Sequence, residues 1–316
     1  MTPDGKDAQQ QARDAETAAI LNSDDQHRVI VAGPGTGKTF TFKEAFKREH
    51  DSGLALTFLK VLKESLRDDL PKSVDVYSFD GYARHLMHRI TGNEPRLYGF
   101  LPVILAEDIT GITGVAVYSS RIEQAYHDMD DSDGVLTVAR RLTDYYRAVS
   151  IAGCIDQCVR RPTDVLRVAK DYRLLVVDEF QDLTCLEVAL FDILATRYRT
   201  LVAGDDEQAL FGFRPATAEH LVSRVAAFGS FPLTFCSRCP RVVVDAVNDI
   251  VRSAKLPGRL PKDYECFMST TTDSKRLDSE LCSSIAVPVV GNQEVQPRRD
   301  SRVLRTALPH SSRGWS

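Results

Sequence analysis

The segment that decides the fold is Ala32-Gly33-Pro34-Gly35-Thr36-Gly37-Lys38-Thr39, which lies between an apolar run, Val29-Ile30-Val31, and a helix-like stretch at 40–50. Its glycines let the backbone turn tightly and aim N–H groups at phosphate oxygens. Lys38 is then placed to reach the β- and γ-phosphates, and the Thr39 hydroxyl to bind Mg²⁺. The order of strand, loop and helix favours a nucleotide-binding P-loop over a turn that merely ends a strand, although Ala32 replaces the usual first glycine.

Short apolar runs alternate with helical patterns along the chain, which predicts an α/β fold with a mostly parallel sheet covered by helices on both faces. The predicted strands are 29–31, 54–58, 74–76, 174–177, 200–203 and 233–235. Between these strands, the stretch from about 92 to 171 loses the strand signal, and 135–148 has a helical pattern. We therefore expect one α/β domain over 16–256 with a helical insertion at about 92–171, a disordered N-terminus at 1–15 and a poorly ordered tail at 257–316.

Composition fits a soluble globular protein: 43% of the 316 residues are hydrophobic and 27% are charged. The net charge is -4, so a nucleic-acid partner has to be argued from motifs and not from a basic surface. No apolar run approaches the roughly 20 residues of a membrane span, and the N-terminus lacks the apolar core of a signal peptide. We expect a cytoplasmic protein with no membrane partner, whose seven cysteines are reduced thiols.

A second chemical signature is the strand Leu174–Val177 and the acidic run that follows it, Asp178-Glu179-Phe180-Gln181-Asp182. Acidic clusters at strand ends are usually just solvated. Downstream of a P-loop, however, this one is typical of a Walker B element. Asp178 would then hold Mg²⁺, and Glu179 would orient and deprotonate the attacking water.

The run Asp178–Asp182 resembles the DExQD box of superfamily 1 helicases of the UvrD/Rep type. Further segments resemble other motifs of this family in the expected order, and the resemblance covers roughly residues 15 to 250. These segments are 56–58 (motif Ia), 78–83 (motif Ib), 204–208 with 212–216 (motif III) and 233–238 (motif IV). The resemblance implies a RecA-like lobe that uses ATP and Mg²⁺ and acts on single-stranded DNA.

The resemblance also implies roles for individual residues. Gln208 would contact the γ-phosphate or its water and report hydrolysis to the DNA site, and Arg238 would give the γ-phosphate a permanently charged donor. Bases of single-stranded DNA would stack on Phe211 and Phe213, unless these rings belong to the core. The remaining residues implied to contact DNA, or to support its loop, are Thr57, Phe58, Ser78, Phe79 and Arg214.

Departures from the family pattern also matter. The family has a second RecA-like lobe, for which the residues after 250 are too few, so a separate chain that supplies this lobe is a candidate partner. Asp80 occupies the place of a histidine in motif Ib, and Glu16 that of an adenine-reading glutamine. The leading function is therefore an ATP-dependent DNA helicase or translocase, of which this chain is the ATP-hydrolysing lobe. The alternative is a nucleotide-binding regulatory module without unwinding activity.

Three other interpretations are weaker. A P-loop kinase or small GTPase has no use for the 178–182 and 204–216 motifs. Four thiols could in principle hold zinc, but one pair lies in the insertion and the other in motif IV: Cys154, Cys158, Cys236 and Cys239. The acidic run 128–134 lacks the spacing of a calcium loop, so a solvated loop is expected there.

Overall fold

The computed structural model describes residues 3–50, 52–57, 60–208, 218–254, 260 and 264–267. Six parallel strands form its central sheet: β1 (His27–Ala32), β2 (Gly53–Thr57), β3 (Asp75–Ser78), β4 (Leu174–Val177), β5 (Arg199–Gly204) and β6 (Gly229–Leu233). Their order across the sheet is β3-β2-β4-β5-β1-β6. The predicted α/β class with a mostly parallel sheet is confirmed.

Helices precede, connect and follow these strands. They are α1 (Pro3–Asn22), α2 (Lys38–Arg48), α3 (Lys60–Asp69), α4 (Phe79–Thr91), α5 (Leu101–Thr113), α6 (Ser119–Asp128), α7 (Val135–Tyr146), α8 (Ile151–Val159), α9 (Pro162–Val168), α10 (Cys185–Ala195), α11 (Glu219–Ala227) and α12 (Arg241–Ala254). Short 3₁₀ turns follow β4 and β5 at Phe180–Asp182 and Asp206–Gln208. A small parallel pair, β7 (Phe235–Cys236) and β8 (Glu265–Cys266), lies beside α12.

The sheet is buried on both faces, as its apolar strands require. Successive residues of β1 alternate between the two sides: Val29 and Val31 pack into one hydrophobic cluster, and Ile30 and Ala32 into the other. Because the strands run parallel, all their carboxyl ends meet at one edge of the sheet. The loops that leave this edge carry the predicted chemical motifs.

Five helices, α5 to α9, connect α4 to β4. The helical content expected for this stretch is present, and α7 covers most of the predicted helix at 135–148. Within this region α8 packs against α4, and it also contacts α10. Whether residues 92–171 form a separate domain stays a prediction.

Two expectations differ from the structure, and a third concerns residues that mostly lie outside the described part of the chain. The N-terminus is not disordered from residue 3 onward, since α1 spans a stretch without internal glycine beyond Gly5 and packs against β6. The sixth strand starts at Gly229, four residues before the predicted start, and stops at Leu233. Its Gly229 and Pro232 hide it from a propensity argument, because both residues are poor strand formers. Most of the predicted tail at 257–316 lies outside the described residues.

Asp156 is the most deeply buried acid of the helical region, with 1% of its side chain exposed. It accepts hydrogen bonds from Arg140 Nε at 3.1 Å and from Arg160 Nε at 2.8 Å. A carboxylate in such a place is held by its charged partners, and removing it leaves two guanidinium groups facing each other.

We predict that Asp156→Ala lowers the free energy of unfolding by about 2 kcal/mol, below the full cost of a broken buried pair because both arginines are partly exposed. Asp164→Ala is the matched control, because Asp164 pairs with Arg167 on the surface and should cost less than about 1 kcal/mol. Urea denaturation measures both. Equal losses in the two variants would contradict a buried ion triad.

Candidate nucleotide-binding site

The loop between β1 and α2 has the backbone shape of a phosphate cradle. Gly35 and Gly37 adopt left-handed conformations with φ of 72° and 101°, which glycine reaches without strain. Thr36 Oγ1 donates a hydrogen bond to the Gly33 carbonyl at 2.9 Å and closes the turn. Gly37 is the N-cap of α2, so the loop ends where free N–H groups and the helix dipole favour an anion.

Lys38 and Glu179 join the two sequence motifs directly. Lys38 Nζ lies 3.0 Å from Glu179 Oε1 and 3.2 Å from Oε2. They meet because β1 and β4 both flank β5, so the loops that follow these strands leave the same edge of the sheet. The pair is only partly exposed, at 11% for Lys38 and 22% for Glu179.

Asp178 lies deeper than Glu179 and is 8% exposed. Burial raises the pKa of its carboxyl; the Lys38 charge opposes this rise, and the Glu179 charge adds to it. A buried carboxylate beside a second one is suited to a cation, and Thr39 lines the same cleft. The residues predicted to hold Mg²⁺, Thr39 and Asp178, are therefore brought together with donor groups of the right chemistry.

Glu179 is held in an unusual conformation. Its φ of 52° is in the left-handed region, which costs a residue with a side chain about 1 kcal/mol or more. Gln181 Nε2 donates to Glu179 Oε2 at 3.0 Å, and Gln181 Oε1 accepts from the backbone N–H of Asp205 at 3.1 Å. Gln181 thus connects Glu179 to the loop after β5.

The segment after β6 folds back onto the P-loop. Ser237 donates to the Gly35 carbonyl through both its N–H and its hydroxyl, each at 3.0 Å. Cys236 Sγ donates to the Pro34 carbonyl at 3.2 Å. A Cβ added at Gly35 would lie 2.4 Å from Arg238 Cβ, so Arg238 lies directly against the loop.

Two residues contact the P-loop although no sequence motif predicts that they do. Tyr264 packs on Gly33 so closely that an added Cβ there would lie 2.5 Å from its ring, and its hydroxyl donates to Asp205 at 3.1 Å. Arg13 of α1 reaches Gly37, where an added Cβ would lie 3.6 Å from its Nη2. Both residues come from segments far from the P-loop in sequence.

The P-loop, α3, the loop after β4 and the 237–238 segment enclose a cleft of about 600 Å³. Phe40, on the first turn of α2, is 54% exposed at this cleft, and α3 contributes Leu66 and Asp69. The lining includes eight residues predicted for the site: Pro34, Gly35, Gly37, Lys38, Thr39, Asp178, Glu179 and Arg238. The volume is within the range of small-molecule sites.

The residues predicted to contact DNA are either buried or outside the described residues. Phe79 is fully buried in the core under the sheet, so its expected contact with DNA is wrong in this conformation, because an apolar ring at the start of α4 packs inward. Thr57 and Ser78 lie at the carboxyl ends of β2 and β3, but both side chains are buried as well. The others, Phe58, Phe211, Phe213 and Arg214, lie outside the described residues, as does the side chain of Gln208.

The two residues that depart from the family pattern, Glu16 and Asp80, each have a structural role in this fold. Glu16 accepts hydrogen bonds from Thr234 N–H at 3.0 Å and Thr234 Oγ1 at 2.6 Å, so its carboxylate joins α1 to the end of β6. Asp80 lies in the first turn of α4, where the helix dipole favours an acidic side chain.

Three acidic side chains of the run 128–134 are used in ion pairs and hydrogen bonds within the protein. In the acidic run 128–134, Asp130 and Asp133 pair with Arg121, while Asp131 accepts from Thr137 N–H at 2.9 Å at the start of α7. Within the described residues, no group of three or more potential ligands from His, Cys, Asp and Glu could hold a metal ion. In the same part of the chain, no helix combines the length and apolarity needed to cross a membrane.

Residues 122–228 match the family model of the UvrD/REP helicase N-terminal domain. This chain is related to the UvrD-like superfamily 1 helicases. The match contains Asp178–Asp182 and the loop after β5 but not the P-loop, which is joined to them by geometry.

Two relatives agree with this assignment. A probable DNA helicase II homolog from Mycoplasma pneumoniae is 22% identical over 79% of this chain and 43% of its own length. DNA helicase II from Haemophilus influenzae is 28% identical over 32% of this chain and 13% of its own length. The chain thus spans less than half the length of the curated relatives it matches.

We predict that Gly35→Ala destabilises the protein more than Gly92→Ala does. Both glycines have nearly the same φ, 72° and 73°, so each variant pays about 1 kcal/mol for the left-handed backbone. Only Gly35 has a neighbour, Arg238, and this clash should add about 1 to 3 kcal/mol. Denaturant titration compares them, and equal losses would show that the 236–238 segment does not rest on the loop.

Proposed function

We propose that this chain is the ATP-binding and ATP-hydrolysing lobe of a DNA helicase or translocase that acts on single-stranded DNA. The observation that carries the proposal is the ion pair between Lys38 and Glu179 at 3.0 Å, beside buried Asp178 and at the end of a glycine loop. The family relationship supplies the class of reaction, and the residues of the cleft supply groups for each step.

Nucleotide binding exchanges the partner of Lys38. A β- or γ-phosphate carries more negative charge than a carboxylate, so it draws the Lys38 ammonium away from Glu179. Glu179, held in place by Gln181, then has a free carboxylate to orient and deprotonate water. The same exchange makes activation of the base depend on the presence of nucleotide.

Mg²⁺ would be held by the Thr39 hydroxyl and by Asp178, directly or through its water shell. When bound, the ion would supply positive charge that offsets the negative charge developing during phosphoryl transfer. Arg238 lies against the loop at the other side of the cleft, where its guanidinium adds a fixed positive charge for the terminal phosphate.

The contact from Gln181 to Asp205 N–H gives a path from the hydrolysis site to the loop after β5. Gln208 and the two phenylalanines proposed to stack on DNA, Phe211 and Phe213, follow directly in sequence. A change at Glu179 can therefore be passed to the proposed DNA segment through one side chain. A separate chain that completes the motor stays part of this proposal.

The second candidate is a nucleotide-binding regulatory module that does not unwind DNA. The contact between Lys38 and Glu179 supports this second candidate, because a lysine that exchanges a carboxylate for a phosphate can sense nucleotide without turnover. The two candidates differ in whether DNA accelerates hydrolysis.

We predict that Lys38→Ala reduces affinity for Mg²⁺-ATP at least about 100-fold, because the cation facing the phosphates is lost. Glu179→Gln should keep binding and lose turnover, since the amide cannot accept the proton of water. Lys43→Ala, an exposed lysine on the same helix, is the control and should behave like the parent. Titration calorimetry measures the affinities; unchanged affinity in Lys38→Ala would refute the site.

We predict that single-stranded DNA stimulates ATP turnover by the parent chain and not by Glu179→Gln, which reports any contaminating ATPase. Phosphate release with and without an oligonucleotide is the measurement. Stimulation by single-stranded DNA supports the motor. Tight ATP binding with no turnover in either condition would instead favour the regulatory module.

A further inference from the structure

Three cysteines cluster beside the P-loop. Cys236, Cys266 and the partly buried Cys239 lie in one small hydrophobic cluster with Tyr264 and Val244. Cys236 and Cys266 are register partners on β7 and β8, and Cys266 Sγ donates to the Cys239 carbonyl at 3.5 Å. Such a concentration of thiols has no part in the proposed hydrolysis.

Cys236 and Cys239 flank Ser237 and Arg238 within a single bend. The neighbouring Cys236 thiol and, more strongly, burial raise the pKa of Cys239, while the Arg238 charge opposes them. Cys236 is buried, whereas Cys239 is partly exposed, so an oxidant reaches Cys239 first. The described residues offer no metal-binding group of three ligands here, so chelation does not account for the cluster.

We propose that Cys236 and Cys239 form a redox-active dithiol, which small disulfide oxidants convert to a disulfide that weakens nucleotide binding. This coupling rests on the proposed function, whereas formation of the disulfide does not. Cys239, as thiolate, attacks one sulfur of a disulfide such as oxidised glutathione and releases one thiolate. Cys236 then attacks the Cys239 sulfur and releases the second. The two protein thiols are oxidised, the glutathione disulfide is reduced to two thiols, and the cysteine protons pass to the released thiolates or to water.

The other described cysteines are poorer candidates. Cys154 and Cys158 are buried in the helical core, and burial raises the pKa of both. Cys185 lies on α10, away from the P-loop, where its Sγ is 3.6 Å from His220 Nε2. Within the described part of the chain, no hydrogen bond joins any of these three thiols to the P-loop, whereas Cys236 makes one.

Oxidation would disturb the P-loop for a stereochemical reason. A disulfide holds its sulfurs about 2.05 Å apart, so the two Sγ atoms have to move together and Cys236 loses the proton that it donates to Pro34. The bend between them also carries Ser237, which donates to Gly35, and Arg238, which lies against Gly35. The disulfide therefore changes both the cradle and the charge that faces the terminal phosphate.

Peptide mapping of the full chain tests the bond. Trypsin cuts after Arg238, between the two cysteines, and Cys266 lies on a third peptide that begins after Lys262. After treatment with oxidised glutathione and alkylation of free thiols, we expect the peptides of Cys236 and Cys239 to be joined, and dithiothreitol to separate them. Cys239→Ser should abolish the link, and the control Cys185→Ser should retain it. Absence of the link, or a link from either residue to Cys266, would overturn the proposal.

Nucleotide titration on the same samples tests the consequence. We expect the oxidised parent to bind Mg²⁺-ATP about tenfold more weakly than the reduced parent, with recovery after reduction, as expected for lost contacts at the loop. Cys239→Ser should bind equally before and after oxidant, and its melting temperature checks that it is folded. Equal affinity of linked and reduced parent would overturn the coupling. If the reduced parent does not bind nucleotide, the proposed function fails, while the peptide map still decides the disulfide.

Discussion

The ion pair between Lys38 and Glu179 can form only when the central sheet is assembled. Its partners are 141 residues apart, and they meet only because the parallel strands β4, β5 and β1 end at one edge of the sheet. The intervening chain forms three strands, β2 to β4, and most of the helices, and Glu179 directly follows the last of these strands. The central sheet thus converts distant sequence motifs into adjacent charges.

Sequence reasoning succeeded where local chemistry and global packing agree. Strands such as Val29–Val31 and Leu174–Val177 are apolar because both faces of the sheet are covered, and their following loops carry recognisable motifs. It failed at β6, where Gly229 and Pro232 hide a strand that neighbouring β1 imposes. It also missed the first part of α1, because disorder was expected over 1–15 and a helix spans Pro3–Asn22.

At the candidate site, too, residues of local motifs could be predicted from the sequence, and residues placed by tertiary packing could not. The spacing of Gly35, Lys38 and Asp178 is sufficient to predict that they line one cleft, because each belongs to a motif with a fixed relation to a strand or helix. Their roles stay predictions. Arg13 and Tyr264 could not be found in this way, since tertiary folding alone brings them to the loop. Phe79 was misassigned because an aromatic residue after a strand can either face a ligand or fill the core, and only packing decides between the two.

The two outermost strands of the sheet also limit how this molecule can associate. β3 is four residues long and begins with Asp75, which pairs with Lys170, while β6 contains Pro232, which has no N–H to offer an incoming strand. Short length, charged residues and proline in an edge strand disfavour its pairing with a strand of another molecule. Intermolecular growth of the sheet into a continuous β-structure, including amyloid-like stacking, is therefore disfavoured at both borders, and a partner has to recognise helices or loops instead.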